Sequence, residues 1–110
     1  MNKINIKVKI SNEDMPYLYE GVAKEYNDII EYDYLGENFI FDKKIKRVTK
    51  DQGNSIIVVD FLSKEIIIKS NSKELKICFD LIKEETSNSK YYYLYKIDDK
   101  KIEFLLEKEV

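Results

Sequence analysis

The sequence predicts an all-β protein, a single antiparallel β-barrel domain of about eight strands over residues 1–110. Apolar and polar residues alternate with a period of two through most of the chain, as in strands with one buried and one wet face. Short polar turns separate these segments at spacings of about 8–12 residues, which is typical of sandwiches and barrels. A chain of 110 residues suits one hydrophobic core without a second domain.

The first strand is predicted from Ile4 to Ile10, where aliphatic residues alternate with lysine and asparagine. The polar stretch Asn12–Asp14 ends it. Residues 15–30 allow two structures, because their apolar residues also recur at helical spacing and Pro16 suits a first helical turn. We favour strand–turn–strand, since Asn27 and Asp28 form a good hairpin turn.

The middle of the chain continues the alternation. Ile30–Tyr34 is predicted as a strand, and Phe39 opens another that runs on through Ile45. The basic run Lys43–Lys50 overlaps it. We interpret this run as a solvated edge strand rather than a phosphate site, because lysines on an edge prevent sheet-to-sheet aggregation.

The second half of the chain predicts two hairpins and a late tyrosine-rich strand. Ser55–Phe61 and Lys64–Lys69 are β-branched, and the two residues between them leave room only for a tight turn. The remaining predicted elements are a strand Leu75–Leu81, a polar loop Glu84–Ser89, a strand Lys90–Ile97, and a last strand Ile102–Leu106.

The strand Lys90–Ile97 holds four of the nine tyrosines in the chain. Alternation places Tyr91, Tyr93 and Tyr95 on one face, and the lysines of the opposite face assign that first face to the interior. With Tyr32 and Tyr34 across the lumen, these five residues are the candidate ligand-binding set. Two interpretations stay open: the rings fill the barrel wall, which we favour, or they line a small-molecule pocket.

Composition excludes several kinds of chemistry. The chain has no histidine, so imidazole-dependent catalytic triads and metal sites are excluded. Its net charge is −2, which does not favour a nucleic-acid partner. Glu31 and Asp33 share a strand face, as two catalytic carboxylates would, but any wet strand face shows that spacing. We therefore expect no enzyme activity, no metal and no cofactor.

Location is predicted from what the chain lacks. The single cysteine fits a reducing compartment. The first ten residues alternate lysine with aliphatic residues and lack the apolar core of a signal peptide. No apolar run approaches the ~20 residues that span a bilayer. We expect a cytoplasmic protein without a membrane partner.

The order of several motifs resembles the YwiB-like family, small bacterial proteins of unknown function with a calycin-like (lipocalin-like) β-barrel. The similar stretches are Tyr19–Gly21, Asn27–Asp33, Ile45–Arg47 with Gly53, Val59–Phe61, Leu75–Leu81 and Tyr93–Ile97. The chain departs from the family at Ser70–Lys73, where a proline-containing turn is usual, and between Tyr34 and Lys43, which is shorter. The resemblance implies a fold and no activity.

These observations lead to two expected functions. The first is a non-catalytic module that binds a small molecule in the barrel lumen through the five tyrosines. The alternative is a structural or protein–protein interaction barrel without a ligand. It follows from Ser55–Phe61 and Lys64–Lys69, which carry apolar residues on both faces, so that one face is free for a homodimer or a protein partner.

Overall fold

The structure, a computed structural model, describes residues 2–109 as eleven strands joined by short turns. They form one sheet in the order β8-β7-β6-β5-β4-β3-β2-β1-β11-β10-β9. The chain is all-β, as predicted, but its antiparallel sheet has eleven strands, so the prediction of a barrel of about eight strands was wrong. The strands are β1 (Asn2–Asn12), β2 (Pro16–Tyr26), β3 (Ile29–Tyr34), β4 (Glu37–Asp42), β5 (Arg47–Asp51), β6 (Ser55–Asp60), β7 (Glu65–Ser70), β8 (Lys73–Cys78), β9 (Asp80–Thr86), β10 (Lys90–Ile97) and β11 (Lys100–Glu109).

One unpredicted break lies in the basic run. The strand predicted from Phe39 through Ile45 ends at Asp42, and β5 begins at Arg47. The Asp42 carboxylate accepts hydrogen bonds from the backbone N–H groups of Lys44 and Ile45, at 3.0 and 3.2 Å. This Asx turn lacks the glycine or proline that marks most turns. Because β5 pairs with both β4 and β6, the edge-strand prediction for Lys43–Lys50 was also wrong.

The other unpredicted break lies at Phe79. The strand predicted as Leu75–Leu81 divides into β8, which pairs with β7, and β9, which pairs with β10. Alternation continues through Phe79, so the change of partner left no signal in the sequence. The polar loop predicted from Glu84 begins only after Thr86, because β9 extends to that residue.

Residues 15–30 form a hairpin, so the favoured interpretation is confirmed and the helical one is wrong. β2 and β3 flank a turn in which Asn27 has a φ of 53°. Asparagine tolerates this left-handed conformation because its short side chain hydrogen-bonds locally. Lys24 pairs with Glu31, and Tyr26 pairs with Ile29. Among residues 2–109 no helix is long and apolar enough to cross a bilayer.

Contacts divide the chain into two compact units. The first holds Ala23–Cys78 with the start of β1, and the second holds Ile4–Val22 with the chain from Phe79 onward. In the first unit, residues paired across β3–β8 form an apolar row on one sheet face, here called the buried face of the first unit. The row is Ile30, Phe41, Val48, Val59, Ile66 and Ile77.

The second unit has its own apolar rows, on the face here called the buried face of the second unit. Val8 pairs with Leu106, which pairs with Tyr91. Ile10 pairs with Phe104, which pairs with Tyr93. Val8, Leu106 and Tyr93 are fully buried. Cross-strand pairs of this kind are the unit of stabilisation of an antiparallel sheet.

A buried aspartate closes the β6–β7 turn of the first unit. One oxygen of Asp60 accepts the backbone N–H groups of Leu62 and Ser63, both at 3.0 Å. Its other oxygen accepts an Arg47 guanidinium N–H at 2.8 Å from the neighbouring strand. Burial alone raises the pKa of Asp60, but the hydrogen bonds from Ser63 and Arg47 outweigh it and hold that pKa below its ordinary value.

We expect Asp60→Asn to lower the free energy of unfolding by about 2 kcal/mol, because it removes a charge-assisted hydrogen bond while keeping an oxygen for the turn. The folded-state pKa of Asp60 is depressed, so its contribution is present above the unfolded-state pKa of about 3.9 and is lost as pH falls through the folded value. Urea unfolding of both proteins from neutral to acidic pH checks this. The difference between them should shrink at low pH, and a pH-independent difference would contradict the assignment.

Gly21 in β2 leaves room for the ring of Tyr19 on the same strand face. A Cβ built at Gly21 lies 2.2 Å from the Tyr19 hydroxyl oxygen and 2.5 Å from Cζ. We expect Gly21→Ala to destabilise the chain by about 1–2 kcal/mol, because the ring must move. The same change in a Tyr19→Ala background should cost less. Equal costs in the two backgrounds, measured by urea unfolding, would show that the ring is not the obstacle.

Candidate functional site

The three late tyrosines of the candidate set lie on the buried face of the second unit. Tyr91, Tyr93 and Tyr95 alternate on β10 with half-buried residues, which confirms the predicted face. Their exposed fractions are 9%, 0% and 5%. The Tyr95 ring lies 4.7 Å from the Phe79 ring, and the Tyr93 ring lies 6.3 Å from that of Phe104, centroid to centroid.

Burial raises the pKa of two of these phenols, Tyr93 and Tyr95. It raises the pKa of Tyr95 to about 12. It also raises the pKa of Tyr93, with a further contribution from the negative charge of Glu84, which is paired with Tyr93 across β9 and β10. The three rings pack in the core of their unit and present little surface to a molecule outside it.

The two early tyrosines lie in the first unit. Tyr32 is buried and stacks on Phe39, with ring centroids 4.8 Å apart and planes 6° from parallel. Tyr34 lies two residues further along the same face, is half-buried, and is paired with Glu37 on β4. The structure therefore places the five predicted residues as a group of two and a group of three, in different units.

Sequence reasoning missed a charged pair beside the early tyrosines. The Lys50 ammonium lies 3.0 Å from the Glu37 carboxylate and 5.3 Å from the centroid of the Phe39 ring. Phe39 is paired directly with Lys50 on β5, so the lysine lies on the buried face. We call Tyr32, Tyr34, Glu37, Phe39 and Lys50 the Lys50 cluster. The sequence could have indicated this pair only through the register of β5 on β4. That register was not considered, because Lys50 was assigned to an edge strand.

An apolar row extends from the cluster across the next three strands. Lys50 is paired with Ile57, Ile57 with Ile68, and Ile68 with Leu75. Both isoleucines are half-buried, and Leu75 at the end of the row is 56% exposed. This row is therefore more open than the neighbouring row through Phe41 and Ile66, both of which are buried.

The Lys50 cluster and the apolar row combine the chemical groups that an amphipathic molecule would contact. The lysine supplies a positive charge with several N–H donors, and Tyr34 supplies a hydroxyl. Phe39 and the apolar row supply a hydrophobic surface. Small-molecule sites combine such apolar linings with a few placed polar groups.

Two open clefts lie elsewhere. One of about 360 Å³ is formed by the β6 and β7 ends and their turns, over Gly53–Ile56 and Lys69–Glu74. Another of about 370 Å³ lies beside Tyr92, whose hydroxyl donates a hydrogen bond to Glu103 at 3.1 Å. Burial and this hydrogen bond raise the pKa of Tyr92. Neither lining includes a tyrosine of the candidate set.

The two carboxylates on the solvent-facing side of β3 accept hydrogen bonds from neighbouring side chains. Glu31 accepts one from the Tyr26 hydroxyl at 3.2 Å, and Asp33 accepts one from the Asn38 amide at 2.8 Å. Within residues 2–109, no group of three or more Cys, Asp or Glu side chains is placed to hold a metal ion.

Alkaline unfolding should report the burial of Tyr95. Its folded-state pKa is raised from 10.0 to about 12, so its contribution is complete below pH 10 and is lost as pH rises through the folded value. We expect Tyr95 alone to remove about 2–3 kcal/mol from the free energy of unfolding over this range. Urea unfolding at several alkaline pH values should show a shallower fall for Tyr95→Phe. Identical slopes for the two proteins would contradict the burial of this hydroxyl.

No protein-family model, no curated protein and no solved structure matches this chain.

Proposed function

We propose that this chain is a non-catalytic module that binds a small amphipathic molecule with an anionic group. The ligand lies on the buried face of the first unit, with its anion at Lys50 and its apolar part along Ile57 and Ile68. The observation that carries this proposal is the position of Lys50, a charged residue on the sheet face that holds the hydrophobic core of its unit.

A lysine at this position needs a compensating negative charge. Removing an ammonium from water is unfavourable unless it is paired, and Glu37 supplies the pairing at 3.0 Å. Three N–H donors are available on the ammonium, and one carboxylate does not occupy all of them. A ligand carboxylate or sulfonate adds a second acceptor in the same place. The Phe39 ring face also favours the cation over a neutral group.

The hydrophobic part of the ligand is inferred from the apolar row. Ile57 and Ile68 are half-buried, and each CH₂ of the ligand that leaves water on their surface contributes about 0.8 kcal/mol. A chain of several carbons therefore adds more to affinity than the charge does.

The proposal includes no catalysis. The acidic pair that catalysis would need, Glu31 and Asp33, instead accepts hydrogen bonds from Tyr26 and Asn38. The chain also has no histidine to act as a general base. Both facts support a binding role.

Membership of the YwiB-like family belongs to the same proposal. The all-β antiparallel fold supports it at the level of architecture. A ligand on one face of the sheet is consistent with such a fold, although fold alone assigns no function. We also propose that the protein is located in the cytoplasm, because its single cysteine fits a reducing compartment.

The second candidate function is an interaction barrel without a ligand. It is favoured by a row of half-buried β-branched residues on the opposite side of the first unit. Ile40, Thr49, Val58 and Ile67 are paired in turn across β4–β7, and Ile56 beside Val58 is 38% exposed. This candidate replaces the first if the test below fails and if Ile67→Thr weakens an assembly that the unchanged protein forms.

Decanoate and decanol test the proposed site, because they share an alkyl chain and differ in charge. We expect decanoate to bind the full chain more tightly than decanol in titration calorimetry. Lys50→Gln should weaken decanoate binding by about tenfold, the value of one charge-assisted hydrogen bond, and leave decanol binding unchanged.

The matched control is Lys43→Gln. Lys43 also forms a partly buried ion pair, with Glu25 at 3.5 Å, but it lies outside the Lys50 cluster. Its removal should leave both affinities unchanged. Absence of decanoate binding at millimolar concentration, or equal losses for Lys43→Gln and Lys50→Gln, would refute the proposed site.

A further inference from the structure

β8 is an open edge of the sheet. It ends the strand order, so within residues 2–109 only its β7 side pairs with another strand. Its six residues are regular, and all are exposed except the half-buried Ile77. A strand edge of this kind offers a row of backbone N–H and C=O groups to another strand.

The other edge, β9, is protected against such pairing. Tyr95 is paired with Leu81 and Leu94 with Lys83, so Ile82 forms a bulge between them. A bulge distorts the ladder that an incoming strand needs. β9 also carries the adjacent acids Glu84 and Glu85. β8 has neither a bulge nor a run of like charges.

An apolar side chain marks the open edge of β8. Leu75 is 56% exposed and ends the row that runs from Lys50 through Ile57 and Ile68. Among residues 2–109, no strand is paired with β8 on the side away from β7. A strand added beside β8 would extend the row and remove this leucine from water.

We propose that β8 pairs with β8 of a second copy of this chain, antiparallel, about a two-fold axis that passes between the two Leu75 residues. In this register Leu75 lies opposite the partner's Leu75. Glu74 lies opposite the partner's Lys76, and by symmetry Lys76 lies opposite the partner's Glu74. One leucine contact and two ion pairs thus form across the new edge.

The charges of β8 select this register over its neighbours. Moving the axis to Glu74 places two glutamates opposite each other, and moving it to Lys76 places two lysines opposite each other. Like charges directly opposite are destabilising. A shift of a single residue between the strands sets the apolar face of one copy against the charged face of the other. Among these neighbouring registers, only the one centred on Leu75 satisfies both conditions, and it alone sets Glu74 opposite Lys76.

In a single chain the same charges have a weak interaction. Lys76 and Glu74 lie two residues apart on one face, with 3.9 Å between the ammonium and the carboxylate. Both side chains are well exposed, so this pair contributes little. In the proposed dimer, two ion pairs between the copies replace this interaction within each chain. The edge is short, so the dimer should form reversibly at high protein concentration.

This inference goes beyond the proposed ligand site and does not depend on it, since the association needs no ligand. Sedimentation equilibrium of the full chain, without added ligand, measures it. The unchanged protein should show a monomer–dimer equilibrium. Lys76→Glu and Glu74→Lys should each raise the dimer dissociation constant by about tenfold, because each creates two like-charge pairs. The double variant Glu74→Lys/Lys76→Glu should restore the original constant.

The matched control is Lys44→Glu, a charge reversal of the same sign at an exposed residue of the turn between β4 and β5, which is not paired with β8. It should leave the dissociation constant near that of the unchanged protein. A chain that stays monomeric at millimolar concentration overturns the proposal. Equal weakening by Lys44→Glu and Lys76→Glu, or no rescue in the double variant, overturns it too.

Disulfide trapping tests the register separately. In a Cys78→Ser background, Leu75→Cys places two thiols directly opposite across the axis, at a Cα separation of about 4.5–5.5 Å that a disulfide spans. Glu74→Cys in the same background places each thiol opposite Lys76 instead. The first variant should form a covalent dimer on mild oxidation and the second should not. Equal trapping of both, with circular dichroism showing that both are folded, contradicts the register.

Discussion

The alignment of apolar side chains across neighbouring strands is the constraint on which the rest of this structure depends. In the first unit, one row runs from Ile30 through Phe41 and Val48 to Ile66. A slip of one residue in any ladder would turn that strand's apolar residues to water, at a cost of about 1.5–3 kcal/mol for each large side chain. The same alignment brings Lys50 beside Phe39 and leaves Leu75 at the edge of the sheet.

Short turns maintain that alignment, and aspartates close two of them. Asp42 and Asp60 each end a strand and accept the backbone N–H groups two and three residues later. In both turns a lysine four residues after the aspartate has a positive φ, 53° for Lys46 and 59° for Lys64. Because turn length sets hairpin register, these side-chain hydrogen bonds help to decide which residues meet across the strands.

The apolar row from Lys50 to Leu75 is incompletely buried at both of its ends. At one end of the row, a lysine on the core side is compensated by Glu37 and an aromatic ring, which creates a polar site beside apolar residues. At the other end, Leu75 has no neighbouring strand beyond it within residues 2–109, and its flanking charges are complementary to those of a second copy in the proposed register. A ligand at Lys50 and a partner at Leu75 would both cover apolar surface that the chain alone leaves exposed.

The sequence by itself determined the all-β class, the hairpin over residues 15–30, and the face on which Tyr91, Tyr93 and Tyr95 lie, because each follows from local alternation and turn residues. It did not determine the strand number, since the turn after Asp42 lacks glycine and proline, and alternation continues unbroken through Phe79. Tertiary structure alone decided which strands are neighbours. Strand pairing therefore brought Glu37, Phe39 and Lys50 together and made β8 an edge, because pairing depends on register across the sheet, which no local pattern records.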